Sequence, residues 1–148
     1  GGGILPVSFV AGRKDVIDTL TPGSEGSTFG GYPLASVVGT YAIKVLVDKK
    51  LADNARIRGA QLISHYEDIM SEFSDKIKEV RGKGLLTAFE MYNETHLDGH
   101  KVSVELLNRG IYAKETHHST VRIAPALTIE AWQIDNIAEQ IRSVIKSL

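Results

Sequence analysis

The sequence contains no cysteine, so disulfide bridges, thiolate metal sites and a cysteine nucleophile are all excluded. It also has no excess of charge of either sign, because 17 basic residues stand against 18 acidic ones and the formal net charge is -1. This balance argues against nucleic acid or an anionic membrane surface as a partner. No apolar run reaches the roughly 20 residues that span a bilayer, and the first residues show no signal-peptide pattern. We therefore expect a cytoplasmic protein.

With 43% hydrophobic and 24% charged residues, the chain has the composition of an ordinary folded protein. Its 148 residues correspond to one domain, or to one domain and part of another. The chain opens with Gly1-Gly2-Gly3, without an initiator Met, and passes directly into a strand-like run. We therefore expect it to be cut from a longer protein.

Residues 26–34 (GSTFGGYPL) combine hydroxyl side chains, adjacent glycines and a proline. Ser27 and Thr28 supply hydrogen-bond donors, and the glycines allow positive φ and close approach to a ligand. Pro33 suits the first position of a helix, where free N–H groups and the backbone dipole favour an anion. The segment is a candidate anion cradle. The alternative is a hydroxyl-rich helix entrance that binds no ligand.

Hydrophobic spacing predicts a mixed α and β architecture. The predicted strands are 5–10, 77–80, 85–91, 111–114 and 120–123, with 81–84 and the polar segment 93–100 as connections. The predicted helices are 14–20, 34–46, 55–73, 101–109 ending at Gly110, and a last helix reaching 148 with Thr128 as its N-cap.

Three expectations concern packing. The apolar residues of helix 34–46 recur at intervals of three and four, so one stripe should face a core. Gly59 lies on the apolar face of helix 55–73, where a glycine costs about 1 kcal/mol of helix propensity, so we expect close packing against another element. Strand 85–91 is apolar at five of its seven positions, which predicts a strand covered on both faces.

Arg122 is a second candidate for chemistry. It lies between Val121 and Ile123 in a predicted strand, just before Ala124-Pro125. An arginine on a rigid strand can grip a carboxylate with two parallel hydrogen bonds. The alternative is an edge-strand arginine that extends into water or has a structural acidic partner.

The other polar candidates carry weaker signals. Residues 81–84 (RGKG) lack the Walker spacing and a following helix, so we interpret them as a strand connection. His117 and His118 are adjacent, would point to opposite faces of a strand, and so cannot chelate one metal together. We expect them to be a solvated loop pair and His65 to be a surface or boundary residue. No metal site and no Ser-His-Asp arrangement is predicted.

Four motifs together resemble the class III, pyridoxal-phosphate-dependent aminotransferases. They are residues 26–31 (GSTFGG) followed by Pro33-Leu34, residues 80–85 (VRGKGL), residues 114–117 (KETH) and residues 121–127 (VRIAPAL). The motifs occur in the family order, and the resemblance covers essentially the whole chain. It is strongest to the C-terminal part of the members that act on ornithine. Residues 1–3, followed by Pro6-Val7-Ser8, also fit the strand that follows the cofactor lysine in that family.

The resemblance implies an α/β and α+β fold, the C-terminal portion of a fold type I pyridoxal-phosphate-dependent transferase. Residues 1–50 would be the tail of the large cofactor-binding domain, with the cofactor-phosphate loop and a long bridging helix, and residues 51–148 the small C-terminal α+β domain. It further implies the cofactor pyridoxal 5′-phosphate, amino-acid and 2-oxo-acid substrates, and a homodimer. The parent reaction would pass the δ-amino group of L-ornithine to 2-oxoglutarate, giving glutamate 5-semialdehyde and glutamate.

At matching positions the resemblance implies roles for particular residues. Thr28 matches the threonine that bonds the cofactor phosphate from the neighbouring subunit, and Ser27 lies beside it. Arg122 matches the arginine near the carboxylate-binding side of the substrate. Two positions depart from the family pattern: Tyr32 stands where Asn is usual, inside the cofactor loop, and Ala126 where a second Pro is usual.

The same resemblance places the Schiff-base lysine just upstream of Gly1 and the aspartate that pairs with the pyridine nitrogen further upstream, so no catalytic residue is expected in this chain. We therefore expect the chain alone to be inactive. The alternatives are a fragment of another class III aminotransferase, acting on acetylornithine or 4-aminobutyrate, and a non-enzymatic remnant acting only by association. If the fragment folds alone, we expect the apolar face of helix 34–46 to be partly uncovered and to drive self-association.

Overall fold

The computed structural model describes residues 2–92 and 98–148. Its helices are α1 (Lys14–Ile17), α2 (Pro33–Asp48), α3 (Leu51–Glu72), α4 (Gly99–Asn108) and α5 (Ala131–Ser147). Its strands are β1 (Ile77–Lys83), β2 (Leu86–Met91), β3 (Lys114–Thr116) and β4 (Thr120–Ile123). The mixed α and β architecture predicted from the sequence is confirmed. The chain divides into two compact units, Gly1–Lys49 and Lys50–Leu148.

The unit Lys50–Leu148 is built on a four-stranded antiparallel sheet with the order β1-β2-β4-β3. Helix α3 packs on β1 and β2, α4 packs on β3 and β4, and α5 packs on both of these helices. One cluster of buried apolar side chains joins all of them, with Leu62, Phe89, Val121 and Ile141 at most 1% exposed. The sheet and three helices therefore share a single core.

Strand β2 is covered on one face only, so the predicted coverage on both faces is wrong. Thr87, Phe89 and Met91 are buried, whereas Leu86 is 59% exposed and the alternate residues between them are partly buried. An antiparallel sheet can leave one face to solvent, and its residues then alternate between core and water. Because residues 85–91 are apolar at most positions, the sequence alone did not reveal this alternation.

Helix α3 confirms the predicted helix at 55–73 and its apolar stripe, since Gly59, Leu62, Tyr66 and Ile69 are buried. A Cβ atom on Gly59 would overlap the carbonyl group of Gly84, in the turn between β1 and β2. The close packing predicted at Gly59 is thus confirmed. The backbone of the helix lies directly on the backbone of the β1–β2 hairpin.

Several element boundaries differ from the prediction because of local hydrogen bonds. Helix α4 begins at Gly99, before the predicted 101, because the Asp98 carboxylate accepts a hydrogen bond from the His100 N–H at 2.9 Å. The N-cap of α5 is Glu130, which forms a capping box with Gln133, so the predicted N-cap Thr128 is wrong. Gly110 ends α4 with φ +81, as predicted. Of the predicted connection 93–100, residues 93–97 lie outside the described residues.

Strand pairing sets the other boundaries. Residues 81–83 pair with β2, so the segment 81–84 is mostly strand and its assignment as a connection is wrong. The strand predicted at 111–114 instead runs from Lys114 to Thr116, because these residues pair with β4. The predicted strand 120–123 is confirmed. Pairing depends on residues distant in sequence, which local spacing does not reveal.

The unit Gly1–Lys49 contains α1 and α2, and residues 2–49 form no strand, so the strand predicted at 5–10 is wrong. A strand requires a hydrogen-bonding partner, and this part of the chain offers none. The short helix predicted at 14–20 ends at Ile17.

Helix α2 confirms the predicted helix with Pro33 in its first turn. No residue of α2 is buried, so its apolar stripe does not face a core as predicted. Val37 and Tyr41 are 67% and 68% exposed, which confirms the expectation of a partly uncovered apolar face. In the described part of the chain, no helix is both long enough and apolar enough to cross a membrane.

Candidate functional site

The loop that enters α2 is held by two consecutive backbone turns. The Gly30 N–H donates to the Ser27 carbonyl at 3.0 Å, and the Tyr32 N–H donates to the Phe29 carbonyl at 3.2 Å. The Ser27 Oγ accepts a hydrogen bond from the Phe29 N–H at 3.3 Å. Ser27 therefore shapes the first turn with its oxygen, while its hydroxyl proton remains available to a ligand.

The backbone of this loop favours glycine at two adjacent positions. Gly31 has φ +71, a conformation that residues with a side chain rarely adopt. A Cβ atom on Gly30 would lie 3.2 Å from the Ser27 carbonyl oxygen, which is tighter than an ordinary contact. The turn thus accounts for the two adjacent glycines of the GSTFGG motif, whereas a Cβ atom on Gly26 would meet open space.

The exposed loop and the start of α2 have the chemistry to hold a phosphate group. Thr28 is exposed, and its hydroxyl makes no hydrogen bond within residues 2–92 and 98–148. Tyr32 occupies the N-cap of α2, and no side chain caps the helix. Uncapped N–H groups at a helix N-terminus carry partial positive charge and attract anions. The residues present therefore fit the phosphate group that the sequence resemblance implies.

A groove of about 930 Å³ lies along α2 and includes part of this loop. Its walls include Val7, Ser27, Gly30 and Tyr32, together with Gly39 on the helix. Thr28 is not among the lining residues. Of the two hydroxyl residues predicted to contact the cofactor, the groove therefore contains only Ser27, and Thr28 presents its hydroxyl to solvent.

Arg122 lies in the middle of β4, on the face of the sheet opposite the core. Its neighbours Val121 and Ile123 are 0% and 2% exposed, whereas Arg122 is exposed. The side chain of Arg122 makes no hydrogen bond or ion pair in the part of the chain that is described. The predicted strand position is confirmed, and no structural acidic partner occupies the guanidinium there. It is free to bind a carboxylate from outside or to extend into water.

Three charged residues of β1 and β2 neutralise one another, unlike Arg122. Glu90 accepts hydrogen bonds from Lys78 at 2.9 Å and from Arg81 at 2.8 Å. These two hydrogen bonds, of which the one from Lys78 has the larger effect, hold the pKa of Glu90 below its ordinary value. In return, the hydrogen bonds to the Glu90 carboxylate raise the pKa of Lys78 and of Arg81. Arg122 has no such side-chain partner within the described residues, and neither do Lys83 and Lys114 of the same sheet.

The candidate residues belong to different units of the chain. Ser27 and Thr28 belong to Gly1–Lys49, and Arg122 belongs to Lys50–Leu148. Sequence reasoning did not connect Arg122 with Lys114, which pairs with it across β3 and β4. The KETH motif contained this lysine, but only the strand register reveals that it lies beside the arginine.

His117, His118 and His65 lie where the sequence predicted, in a solvated turn and at the boundary of the core. His117 and His118 are exposed in the turn between β3 and β4, with φ of 54° and 64°, as a solvated loop pair. His65 is a boundary residue whose Nε2 lies 2.8 Å from Asp135 Oδ1. Among residues 2–92 and 98–148, no group of three or more His, Cys, Asp or Glu side chains is placed to hold a metal ion.

Comparisons with known proteins find aminotransferases both by sequence and by structure. The model of the family described as aminotransferase class-III matches residues 1–145. An ornithine aminotransferase of Staphylococcus carnosus is 43% identical over 145 residues, which cover 97% of this chain and 35% of that protein. The chain spans about a third of the length of the curated relatives that it matches.

Solved structures agree with the sequence comparison. The structure of ornithine aminotransferase from Toxoplasma gondii has a TM-score of 0.90 and 39% identity, covering 98% of this chain and 34% of its own. A second structure of that protein is described as revealing partial occupancy of PLP at the active site. The acetylornithine aminotransferase from Elizabethkingia anophelis has a TM-score of 0.81 and 35% identity, covering 90% of this chain and 33% of its own.

Proposed function

The chain belongs to the class-III aminotransferase family, and from this premise we propose that it is the C-terminal part of an ornithine aminotransferase. The observation that carries the proposal is the similarity to the Staphylococcus carnosus ornithine aminotransferase along 97% of the chain. The parent enzyme passes the δ-amino group of L-ornithine to 2-oxoglutarate and forms glutamate 5-semialdehyde and glutamate. The similarity to an acetylornithine aminotransferase keeps acetylornithine, and with it 4-aminobutyrate, as alternative substrates.

In this proposal the loop at 26–31 binds the phosphate of pyridoxal 5′-phosphate. The cofactor, when bound, supplies the electron sink for amino transfer. Thr28 donates its free hydroxyl to a phosphate oxygen, and the uncapped start of α2 adds backbone N–H groups and a favourable dipole. Ser27, whose Oγ already accepts the Phe29 N–H, donates its proton from the wall of the groove. These groups position the cofactor and take no part in bond breaking.

Arg122 binds a substrate carboxylate in this proposal. Its guanidinium is exposed on a strand whose neighbouring residues are anchored in the core. A fixed backbone limits the motion of the side chain and favours two parallel hydrogen bonds to one carboxylate. The arginine thus selects and orients the substrate without reacting itself.

The remaining parts of the proposal concern organisation. Residues 1–50 are assigned to the tail of the large domain and residues 51–148 to the small domain, and the separate core of Lys50–Leu148 supports the second assignment. Thr28 reaches the cofactor of the neighbouring subunit in a homodimer. The cytoplasmic location and the inactivity of the chain alone stay predictions.

An exchange experiment tests the proposal. The segment of the Staphylococcus carnosus enzyme that aligns with this chain is replaced by the chain, and the chimera is assayed for transamination between ornithine and 2-oxoglutarate. We expect activity, with ornithine preferred over N-acetylornithine and 4-aminobutyrate. Thr28→Val should weaken cofactor binding by about tenfold, because a charge-assisted hydrogen bond to phosphate is lost. Thr21→Val, outside the loop, is the control.

The opposite results are equally informative. A folded chimera that retains cofactor but prefers acetylornithine or 4-aminobutyrate assigns the chain to that enzyme instead. A folded chimera that neither binds cofactor nor transaminates contradicts the proposal. The isolated chain, titrated with pyridoxal 5′-phosphate, should give no absorbance band of protein-bound cofactor and no turnover. A band that ornithine discharges would contradict its expected inactivity.

A further inference from the structure

A polar cluster on the surface joins the first turns of α5 to the middle of α3. Gln61 Nε2 donates to Asp135 Oδ1 at 2.7 Å and to the Ala131 carbonyl at 3.1 Å. His65 Nε2 lies 2.8 Å from the same Asp135 oxygen. Residues 61 and 65 are one helical turn apart on α3, as are residues 131 and 135 on α5. The two helices are therefore bonded to each other through side chains over one full turn of each.

The partners of His65 determine which of its ring nitrogens carries hydrogen. The hydrogen bonds from His65 and then from Gln61 hold the pKa of the Asp135 carboxyl group below the ordinary 3.8, so Asp135 is ionised at neutral pH. An ionised carboxylate only accepts hydrogen bonds, and His65 Nε2 is therefore the donor. The second proton of the imidazole goes to Nδ1. This nitrogen makes no hydrogen bond within residues 2–92 and 98–148, so its protonation breaks no existing bond.

The charges along the facing sides of α3 and α5 are mostly negative. By helical spacing, the charged residues within two turns of His65 or Asp135 are Arg58, Asp68 and Glu72 on α3, and Asp135, Glu139 and Arg142 on α5. Arg142 Nε lies 2.8 Å from Glu72 Oε2 and is neutralised there. Three carboxylates then remain against one guanidinium. A positive charge on the imidazole is thus attracted by its surroundings.

The other elements that pack on these helices bring no further charge to the cluster. Strands β1 and β2 pack on the buried side of α3, and within the described residues none of their charged side chains bonds to that helix. Helix α4 packs on another side of α5, where Arg109 Nη1 donates to Ser143 Oγ at 2.7 Å and to Gln140 Oε1 at 3.3 Å. The groups of α3 and α5 therefore decide how the cluster responds to pH.

We propose that His65 and Asp135 form a pH-sensitive clasp between α3 and α5, which tightens when the imidazole gains its second proton. Histidine is the side chain whose charge ordinarily changes between about pH 5 and pH 8. At the upper end of this range a neutral N–H donates to the carboxylate, and at the lower end a cation donates through the same bond. The clasp therefore contributes more to stability near pH 6, and this added contribution is lost as the pH rises to 8. It belongs to the unit Lys50–Leu148 and does not depend on the proposed function.

A second ion pair between the same helices provides the matched control. Glu72 and Arg142 also join α3 to α5, at 2.8 Å. A glutamate and an arginine on a protein surface both keep their charges between pH 6 and pH 8. The attraction in this pair should therefore not change over the range in which the clasp does.

Double-mutant cycles at two pH values test the proposal. Urea unfolding of the full chain is followed by far-UV circular dichroism at pH 6 and pH 8 for the wild type, His65→Gln, Asp135→Asn and the double variant. Asp135→Asn removes the charge but keeps an oxygen that accepts hydrogen bonds. The coupling is the part of the shift in urea midpoint by which the double variant departs from the sum of the single variants. The other histidines titrate in all four proteins, so their effect cancels.

We expect a favourable coupling between His65 and Asp135 at both pH values, about twice as large at pH 6 as at pH 8. The cycle with Glu72→Gln and Arg142→Gln should give the same coupling at both. A coupling between His65 and Asp135 that is equal at the two pH values, smaller at pH 6, or absent at both would overturn the clasp. A doubling in the control pair as well would assign the pH dependence to the whole unit and would also overturn it. The chimera assay decides the proposed function separately.

Discussion

Glu90 shows how a single carboxylate balances two cations on the outer face of the sheet. The hydrogen bonds from Lys78 and Arg81 lower its pKa below the ordinary 4.5. A carboxyl group whose pKa is lowered by folding stabilises the folded state above its ordinary pKa. That stabilisation is lost as the pH falls from 4.5 through the lower value of the folded state.

Replacing this carboxylate should therefore change how the free energy of unfolding falls at acidic pH. We expect Glu90→Gln to reduce the urea midpoint at pH 7 and to lose less stability than the wild type between pH 5 and pH 3, because the group that takes up the proton is gone. Glu79→Gln, whose carboxylate is 3.4 Å from Arg81, is the matched control and should change the profile less. An equal loss of stability between pH 5 and pH 3 in Glu90→Gln and the wild type would contradict the role assigned to Glu90.

Tyr66 illustrates what sequence can and cannot predict for one residue. The helical spacing correctly placed it on the apolar stripe of α3, where it is 1% exposed. Its partner was not predictable, because Thr87 comes from the sheet. The Thr87 hydroxyl donates to the Ile123 carbonyl at 2.9 Å, so the Tyr66 hydroxyl is the donor in their 3.3 Å hydrogen bond. Burial raises the pKa of Tyr66, which keeps this donor protonated.

At the scale of elements, the contact between α3 and the β1–β2 hairpin depends on two glycines. Gly59→Ala should destabilise the folded state by about 2 to 3 kcal/mol, because the new methyl group overlaps the Gly84 carbonyl and the helix must move away. Gly84→Ala is the matched comparison. Its Cβ would meet atoms no closer than 3.6 Å, so only the strain at φ +56 opposes it, at about 1 kcal/mol.

Urea unfolding of both variants measures the difference. A smaller loss for Gly59→Ala than for Gly84→Ala would show that the helix and hairpin are not in backbone contact. Far-UV circular dichroism before unfolding establishes that both variants retain their helices.

The missing cap of α2 is a second property of an element. Tyr32 at the N-cap has no oxygen within reach of the first-turn N–H groups, whereas an asparagine can accept from them. We expect Tyr32→Asn to stabilise α2 by about 0.5 to 1 kcal/mol, seen as slower amide hydrogen exchange in its first turns. Tyr32→Ala removes the ring without adding a cap. Equal exchange in the two variants would contradict the explanation.

Elements with strong local signals were predicted well, and those fixed by distant partners were not. The spacing of apolar residues predicted α2 and α3, and Gly110 predicted the end of α4. The strand expected at 5–10 does not form, because residues 2–49 offer it no strand to pair with. Strand β3 runs from Lys114 to Thr116 because these residues pair with β4. The same limit applies to the candidate site: Arg122 was identified from its own strand, but Lys114 became its neighbour only through the register.

On the scale of the whole molecule, burial is unevenly divided. All of the apolar residues that form the core lie between Leu62 and Ile145, in the unit Lys50–Leu148. No residue among 2–49 is buried. Since burial of apolar surface is the main source of stability, the second unit supplies most of the free energy of unfolding. Amide hydrogens of α3 and the sheet should accordingly exchange more slowly than those of α2.

The uncovered face of α2 should also control the behaviour of the chain in solution. Val37 and Tyr41 lie one helical turn apart and are 67% and 68% exposed, so they form a continuous apolar surface. Exposed apolar patches favour association, and we expect light scattering to show a mass that rises with concentration. The double variant Val37→Ser and Tyr41→Ser should reduce this rise. Tyr112→Ser, which removes an aromatic side chain of a residue that is 77% exposed in the other unit, should leave it unchanged. A monodisperse wild-type monomer over the same range would show that this face does not drive association.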